Sequence, residues 1–421
     1  MPQTRDHVSV HIGTLLLQQR SSPTSSTIFR VDHDLRHGSE NLYDPKVVSI
    51  GPFHHQKTRL QNMQQHKLTY LNHLLTRREE STVDRYVEAV RSMEEEARNS
   101  YSEPIEPNRD KLVEILVLDG LFVVELVRKY KLDYLRMPDD PIIQYEQVLG
   151  RVRRDLMLVE NQVPFFVLDQ LFNMTKGGNP DDDIFHLVHY FFDDISPWPD
   201  FTRKPVANNA IDHLLGLVYK IWFSDCFSLF ETMEAGSPVD EKIMAINSAS
   251  ELQEIGVKFK RSKRLNITFD GGVLKIPNIS LCNETESIFR NLIAYEQFFA
   301  DGRPKYVTVY AFFLHWLVNQ PKDVEILRRR SILTNLLGGD EMVYRVFERL
   351  GRNVMVSSCD FLYAGVFEAL NKYCGRRTNR WMAVLRRDYF SSPWSFIKFF
   401  AACLLLLFTL IQTMFTVKSS I

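Results

Sequence analysis

The amino-acid sequence predicts a mainly α-helical (α+β) fold, in which a helical globular domain carries a small antiparallel β insertion and one C-terminal transmembrane helix. Three observations predict it. Apolar residues recur at helical spacings through most of the chain. Between Gly256 and Pro277 the apolar period changes to two, which is typical of strands. Near the C-terminus, residues Phe399 to Val417 carry no charge.

Composition excludes several classes of protein. The 421 residues are 45% apolar and 24% charged, which are ordinary values for a packed globular chain. They exclude a disordered chain, a collagen-like fibre and a multi-pass membrane protein. Five cysteines are too few for a disulfide scaffold. A net charge of −1 removes any whole-protein argument for nucleic-acid binding.

The first part of the chain divides into a loose segment and a domain. Residues 1–29 are rich in Ser, Thr and Gln, and we expect them to be loosely ordered. Residues 30–375 are expected to form one globular domain. Within it, the apolar stretch Leu112 to Val127 contains three acidic residues, and an Asp at mid-membrane costs about 2.5–3.5 kcal/mol. We therefore predict a buried helix over 111–130, capped by Asp110.

Two further helix starts are predicted from their capping residues. Pro164 fits the first turn of a helix in a strongly apolar segment, with Asn161 as its cap. Later in the chain, Asn283 can cap a helix that has Glu286 three residues on, as in a capping box. Glu286 can also pair with Arg290 one turn later.

The predicted β insertion lies near residues 256–277. Two runs there alternate apolar and polar residues, and an Asp-Gly-Gly sequence at 270–272 separates the second run from Val273 to Ile276. Alternating runs joined by such a turn are typical of a hairpin. We therefore predict a hairpin within a small antiparallel sheet.

The uncharged segment 399–417 is predicted to be a transmembrane helix that begins at Phe399 and ends at Val417. At about 1.5 Å per residue it spans roughly 28 Å, close to the thickness of the hydrocarbon core of a bilayer. It is followed by a short tail, residues 418–421. It is preceded by a basic, aromatic juxtamembrane segment, residues 376–398, whose cationic residues are Arg376, Arg377, Arg380, Arg386, Arg387 and Lys398.

Charge around the span predicts its orientation. Residues 372–398 hold seven cationic residues and one acidic residue, whereas only Lys418 follows the span. Positive charge beside a span favours the cytosolic side, so the bulk of the chain is expected in the cytosol, anchored to the plasma membrane or an endomembrane. No secretory signal is recognised in the first thirty residues. The opposite orientation is favoured by four glycosylation sequons, at Asn173, Asn266, Asn278 and Asn283.

Three residues are candidates for acid–base chemistry. Glu160 lies between two apolar runs, where a buried carboxylate with a shifted pKa could serve an active site. The alternative is a cap and hydrogen-bond network that holds two helices together, and this alternative is favoured. His54 and His55 are adjacent, and one of them could be a general base. A structural role for a satisfied histidine is favoured there too.

No metal, cofactor or nucleic acid is expected to bind. Neither nucleotide-binding glycine motif, nor the motif of a serine hydrolase or zinc protease, occurs in the sequence. One metal arrangement is conceivable, because four residues would share a helix face. A single straight helix cannot close a tetrahedral shell, however, so a solvent-facing stripe is favoured for Asp182, His186, His189 and Asp193.

The chain resembles the plant domain-of-unknown-function family 247. The matching stretches extend over residues 30 to 417 and include YDPKVVSIGPFHH, DLMLVENQVPFFVLDQL, SASELQEIGVKFK, RNLIAYEQ and YFSSPWSFIKFFAACLLLLFTLIQT. Two positions depart from the family pattern: Asp32 replaces an expected proline and Gln56 an expected glycine. The resemblance implies a plant protein with one globular unit and a C-terminal membrane anchor. Some family members are implicated in self-incompatibility in grasses, and the family has no catalytic residues to transfer.

These observations lead to two main hypotheses. The first is a non-enzymatic, membrane-anchored plant recognition or signalling protein that acts by protein–protein contact, with self-incompatibility as one setting. The second is a membrane-tethered, hydrolase-like enzyme that uses Glu160 with His54 or His55. A third hypothesis is that the protein is a structural scaffold of the membrane. The expected partners are a lipid bilayer, bound through the C-terminal helix, and a protein.

Overall fold

Helices make up most of the described chain, as the sequence predicts. The computed structural model describes residues 6–19, 26–199, 211–226, 245–299, 304–352, 356, 361–376 and 393–419. Helices α1 to α12 are, in order, His7–Gln19, His33–Arg36, Glu40–Tyr43, Asn62–Arg77, Asp84–Ser92, Glu94–Asn99, Arg109–Lys131, Pro141–Gln144, Glu146–Leu156, Phe165–Thr175, Ile184–Asp193 and Leu214–Trp222. Helices α13 to α19 are Ala249–Ile255, Thr285–Gln297, Tyr306–Leu317, Pro321–Arg329, Asp340–Gly351, Ala364–Gly375 and Pro393–Ser419. Strands β1 to β5 are Lys258–Ser262, Thr268–Asp270, Val273–Pro277, Ile279–Leu281 and Leu333–Asn335.

The N-terminal segment contains ordered structure. Helix α1 lies within it, and its residues 7–12 are exposed. Ile28 is fully buried and forms an isolated parallel bridge with Tyr101. The folded domain therefore includes residues before position 30. Residues 1–5 and 20–25 of the expected loose segment lie outside the described residues.

Helix α7 is the predicted buried helix, and it packs against α4, α5, α10 and α11. Gly120 allows α10 to approach closely, because a Cβ at this position would lie 2.5 Å from Cδ1 of Leu171. The prediction that this apolar stretch belongs to the core is confirmed, since Leu112, Leu116 and Leu126 are completely buried.

The charges of α7 are neutralised inside the domain. Glu125 is completely buried and accepts two hydrogen bonds of 2.8 Å from the guanidinium of Arg77. Arg128, one turn along α7, donates to Glu125 at 3.1 Å, to Asp182 at 2.8 Å and to the hydroxyl of Thr175 at 2.6 Å. A buried charge is tolerated only when it is paired and hydrogen-bonded in this way.

The predicted caps are displaced from the observed ones. The side chain of Asn108, not Asp110, caps α7 by accepting from the backbone N–H of Lys111 at 2.9 Å. Asp110 lies in the first turn instead and pairs with Arg91. Both residues are good caps by type, so composition alone could not distinguish positions two residues apart. At α10, the N-cap is Pro164 itself, which makes no side-chain cap.

At α14 the predicted capping box is absent, although the predicted ion pair is present. The helix begins at Thr285, its N-cap residue is Glu284, and no side chain caps it. Glu286 does contact Arg290, at 3.4 Å, and it also receives two hydrogen bonds from Arg349 of α17. Glu286 therefore joins two helices instead of closing a helix end.

Helices α14 and α15 are joined by a buried carboxylate. Glu296 is fully buried and accepts from the backbone N–H groups of Val307 and Thr308, at 2.8 and 2.7 Å. The Thr308 hydroxyl donates to it at 2.5 Å, and the Tyr219 hydroxyl of α12 donates at 2.7 Å. Burial raises the pKa of Glu296 to about 7, against these four hydrogen bonds.

The predicted hairpin is present, within a sheet of mixed direction. Strands β2 and β3 pair antiparallel through the turn at 271–272, as predicted. Strand β1 pairs with the other edge of β3 and runs parallel to it, so the strand order is β1-β3-β2. A period of two reveals which residues face the core, but it does not reveal strand order or direction. Strands β4 and β5 form a second, parallel pair.

Helix α19 contains the predicted span. Phe399–Thr416 is long and apolar enough to cross a membrane, and none of it is buried against the rest of the described chain. Val417 and Lys398 also lie in α19. Of the predicted basic juxtamembrane residues, Arg376 is exposed just after α18, whereas Arg377, Arg380, Arg386 and Arg387 lie outside the described residues.

The capping geometry of α7 makes a testable prediction. Asn108→Ala should lower the free energy of unfolding by about 1 kcal/mol, because it removes the acceptor for the Lys111 N–H. Asp110→Ala is the matched control and should cost less than about 0.5 kcal/mol, since its ion pair with Arg91 is exposed. Urea unfolding of both variants measures the difference, and equal losses would contradict the assigned cap.

Candidate functional site: a buried polar junction

From the last turn of α9 to the start of α10, the chain buries four polar side chains within eight residues. Asp155, Glu160, Asn161 and Gln162 are each at most 1% exposed. A buried polar group without a partner costs about 1–3 kcal/mol, so these side chains need hydrogen bonds. They find them in distant parts of the chain. We call these four residues, together with residues 46–54 that they contact, the polar junction.

Asp155 binds three consecutive backbone N–H groups. Its carboxylate accepts from Lys46 at 2.9 Å, from Val47 at 2.6 Å and from Val48 at 3.0 Å. Arg154 donates to the same carboxylate at 2.8 Å. Residues 46–48 belong to no helix or strand, so this carboxylate supplies the hydrogen bonds that a sheet neighbour would otherwise supply.

Asn161 and Gln162 continue the same role. Asn161 accepts from the N–H of Ile50 at 2.7 Å and donates to the carbonyl of Val48 at 3.1 Å. Gln162 accepts from the N–H of Leu215, in α12, at 3.1 Å. Asn161 was predicted to cap α10, and that prediction is wrong, because its side chain binds backbone more than 110 residues away in the sequence.

A glycine is required at position 51, where residues 46–54 approach the backbone of Gln162. Its φ of 74° lies in the left-handed region that favours glycine. A Cβ at Gly51 would also lie 2.3 Å from the carbonyl oxygen of Gln162. Its N–H donates to Asp119 of α7 at 2.8 Å, and Asp119 in turn pairs with the buried ammonium of Lys67. Burial raises the pKa of Asp119, against the charge of Lys67.

Helix α14 reaches the junction through two side chains. The amide oxygen of Asn291 accepts from the N–H of Val159 at 3.1 Å. Its amide nitrogen donates to the carbonyl of Leu42 at 3.1 Å, and the hydroxyl of Ser287 donates to that carbonyl at 2.6 Å. Arg154 donates to the Ser287 oxygen at 2.9 Å. Three segments that are far apart in sequence therefore meet at one hydrogen-bonded centre.

Glu160 lies at the base of a cleft of about 640 Å³ beside the junction. Its carboxylate accepts from the N–H of Val31 at 2.8 Å and pairs with Arg36 at 2.9 Å. The ring Nε2 of His54 lies 3.4 Å from it. Burial opposes the ionisation of Glu160, but His54, Arg36 and the Val31 N–H outweigh it and hold the pKa of this carboxyl below its usual value. Burial lowers the pKa of His54, which disfavours the protonated form of its imidazole.

The chemistry available in this cleft is restricted. The structure brings together Glu160 and His54, two of the three candidates for acid–base catalysis. Neither is more than 2% exposed. Among the described residues that line the cleft there is no Ser, Thr or Cys. Hydrolysis here would therefore need a nucleophile other than a hydroxyl or thiol side chain of the cleft, such as a water molecule activated by His54 or by a carboxylate.

The third candidate, His55, lies elsewhere. Its Nδ1 is 2.8 Å from the carbonyl oxygen of Pro52, and it lines a different groove together with Gln61 and Lys111. The two histidines lie in a turn, residues 53–56, that directs their side chains to different sides of the chain.

The four residues considered for metal binding serve other roles or remain on the surface. Asp182 is buried against Arg128, and the neighbouring Asp183 caps α11. His189 and Asp193 are 3.9 Å apart and partly exposed. In the part of the chain that the structure describes, no three His, Cys, Asp or Glu residues converge as metal ligands.

The sequence interpretation did not identify Arg36, Arg154 or Asp155. Arg154 and Asp155 were recognisable as adjacent charges directly before an apolar run, which is a signal for a buried pair. Arg36 has no local signal, because its partner Glu160 is 124 residues away.

The residues that build the junction all lie within the region that matches a known family model. A family model described as "Plant protein of unknown function" matches residues 28–408. The chain belongs to this plant family, domain-of-unknown-function family 247. The family match thus covers the whole junction, from the Val31 N–H that binds Glu160 to Asn291.

Two curated proteins of Arabidopsis thaliana are similar over nearly the full length. The UPF0481 protein At3g47200 is 31% identical over 430 residues, which cover 96% of this chain and 89% of that protein. A second UPF0481 protein, At3g02645, is 24% identical over 494 residues, which cover 94% of this chain and 90% of that protein. No solved structure matches the chain.

The junction makes a second testable prediction. Asp155→Ala should lower the free energy of unfolding by about 3 kcal/mol or more, because it leaves three backbone N–H groups without their acceptor and removes the ion pair with Arg154. Asp155→Asn retains one acceptor oxygen and should fall between Asp155→Ala and the parent.

The matched control is Asp169→Ala. Asp169 is half-buried and burial raises its pKa, so its removal should cost less than about 1 kcal/mol. Denaturant unfolding measures all three variants. A loss at Asp155 no larger than that at Asp169 would contradict the proposed role of the junction.

Proposed function

We propose that this protein is a single-pass, C-terminally anchored membrane protein that acts in recognition or signalling through protein–protein contact. The observation that carries the proposal is α19. Its apolar stretch Phe399–Thr416 has no part buried against the described domain. Burial of a Leu or Phe side chain is worth about 1.5–3 kcal/mol, so this helix gains much by entering a bilayer.

Charge supports a cytosolic location for the domain. Residues 372–398 have a net charge of +6, and the tail after the span has only Lys418. Cytosolic flanks carry such an excess of Lys and Arg. One of the four glycosylation sequons, at Asn278, is also only 6% exposed and is a poor acceptor for a glycan. The plasma membrane and the endomembranes both fit this orientation.

Protein contact is favoured over catalysis by the use made of the polar junction. The side chains of Asp155, Asn161 and Gln162 form hydrogen bonds with the protein's own backbone. They cannot bind a substrate without breaking the contacts that hold residues 46–51. Exposed surface is therefore the part of the domain available for function. Family members implicated in grass self-incompatibility make reproductive recognition one setting for this role.

Topology provides the first test of the proposal. The full chain, with a tag at each end, is expected to resist carbonate extraction from microsomes, to lose its N-terminal tag to added protease and to carry no glycan sensitive to endoglycosidase. A protected N-terminal tag with glycosylated sequons would contradict the cytosolic orientation.

Substitutions within α19 test whether this helix anchors the protein in the membrane. Leu404→Lys combined with Leu407→Lys should release the protein into the soluble fraction, because each Lys at the centre of the span costs about 2.5–3.5 kcal/mol. Lys322→Gln, in the soluble domain, should remain in the membrane fraction. Membrane retention of the double variant would contradict anchoring by α19.

The alternative is a membrane-tethered, hydrolase-like enzyme, and the 3.4 Å contact between His54 and Glu160 is the observation that favours it. Glu160→Gln, His54→Asn and His55→Asn are compared for hydrolysis of p-nitrophenyl esters, with circular dichroism to verify folding. His55→Asn is the matched control, because His55 lies outside the cleft. We expect no hydrolysis that distinguishes the variants. Activity lost in Glu160→Gln and His54→Asn, but kept in His55→Asn, would establish the enzyme instead.

A further inference from the structure

The mixed β-sheet carries a concentration of positive charge. Residues 256–277 contain six cationic residues and one acidic residue, a net charge of +5. Residues 1–371 as a whole have a net charge of −8, so the rest of that region carries −13. A strongly cationic sheet on an acidic domain needs a specific explanation. The six residues are Lys258, Lys260, Arg261, Lys263, Arg264 and Lys275.

The alternation of side chains along β1 and β3 places cationic residues on the exposed face of the sheet. Phe259 and Leu274 are register partners on the buried face. The residues that alternate with them, Lys258 and Lys260 on β1 and Lys275 on β3, are all exposed. The loop after β1 adds two more exposed cations. We call the resulting surface, formed by Lys258, Lys260, Lys263, Arg264 and Lys275, the basic face.

The register places like charges side by side. Lys260 and Lys275 are direct partners on the neighbouring strands β1 and β3, and like charges in that position are destabilising. Within the described part of the chain, none of the five residues of the basic face has an ion-pair partner. Asp270, the acidic residue of the segment, lies in the same row of the sheet as Lys258, with Val273 between them. The face therefore suits a partner that supplies negative charge over an area.

The sheet also packs on α18, the helix that precedes the anchor in the described chain. Phe269 of β2 packs on Tyr373 of α18, with ring centroids 5.5 Å apart. Helix α18 ends at Gly375, and α19 begins at Pro393. The residues between them reach at most about 60 Å when fully extended. The bilayer that holds α19 therefore lies no more than about 60 Å from the end of α18, the helix on which the sheet packs.

We propose that the basic face docks on the anionic lipid headgroups of the membrane that holds α19, and so orients the domain on that membrane, a role that rests on the anchoring proposed above. The cytosolic leaflet carries negative lipids, and each Lys near it contributes roughly fivefold to association. The tether raises the local concentration of lipid at the face, which favours this partner over nucleic acid or an acidic protein that arrives by diffusion.

Amine footprinting on the full chain tests the proposal. The protein is reconstituted in nanodiscs of phosphatidylcholine, with or without phosphatidylserine, and its lysines are acetylated briefly and quantified by mass spectrometry. On discs with phosphatidylserine at about 0.05 M salt, acetylation of Lys258, Lys260, Lys263 and Lys275 should fall about fivefold, and it should recover at about 0.5 M salt. Exposed Lys176 and Lys322 should react equally on both discs.

Matched variants identify the charges responsible. A variant with Lys258, Lys260, Lys263 and Lys275 all changed to Gln should lose the phosphatidylserine-dependent protection of β1 and β3 from amide hydrogen exchange. The control, in which Arg151, Lys176, Lys322 and Arg330 are changed to Gln, has the same net charge and should keep it. Similar protection in both variants would overturn the proposal.

The outcomes separate the docking from the anchoring. A chain that does not elute with the nanodiscs refutes the membrane anchor itself. A chain that elutes with the discs while all lysines react equally refutes the docking alone. If the lysines are protected from acetylation only when duplex DNA or an acidic protein is added, the lipid assignment is wrong. The basic face would then bind that partner instead.

Discussion

The structure depends on one constraint: the backbone of residues 48–51 is buried without belonging to a helix or a strand. Buried N–H and C=O groups must be paired, and these groups have no strand neighbour to pair with. Side chains from three other regions do the pairing instead: Lys67 of α4, Asp119 of α7, and Asp155 and Asn161 near the end of α9. The positions of these helices are therefore linked through a single strip of irregular chain.

This arrangement favours a unique structure more than a large gain in stability. Each pairing replaces hydrogen bonds to water, so its net contribution is about 1 kcal/mol, whereas breaking one exposes the whole desolvation penalty. Glu160 and Asp155 are both at most 1% exposed, and both are acceptors for backbone N–H groups. Any other packing of these segments would leave the two buried carboxylates without hydrogen-bond partners. That cost in free energy favours the observed packing.

Prediction from the sequence succeeded where the signal was local and periodic. The apolar period of α7, the alternation of β2 and β3 and the uncharged stretch of α19 each depend on neighbouring residues alone. It failed at Asn161, which resembles a helix cap by type and position but binds Ile50, 111 residues away. It missed Arg36 for the same reason, since the partner of Arg36 is 124 residues away. Strand direction at β1 also required knowledge of the partner strand.

The junction has a consequence for the order of events during synthesis. The carbonyl of Leu42 receives its hydrogen bond from Asn291, 249 residues later in the chain. At about 5–20 residues per second, roughly 10–50 s separate the appearance of the two residues. During that interval the Leu42 carbonyl lacks both of its donors from α14, Ser287 and Asn291, and its apolar neighbours are open to other contacts. Folding that depends on such distant pairs is slow, so the nascent domain is a natural client for chaperones until α14 has been made.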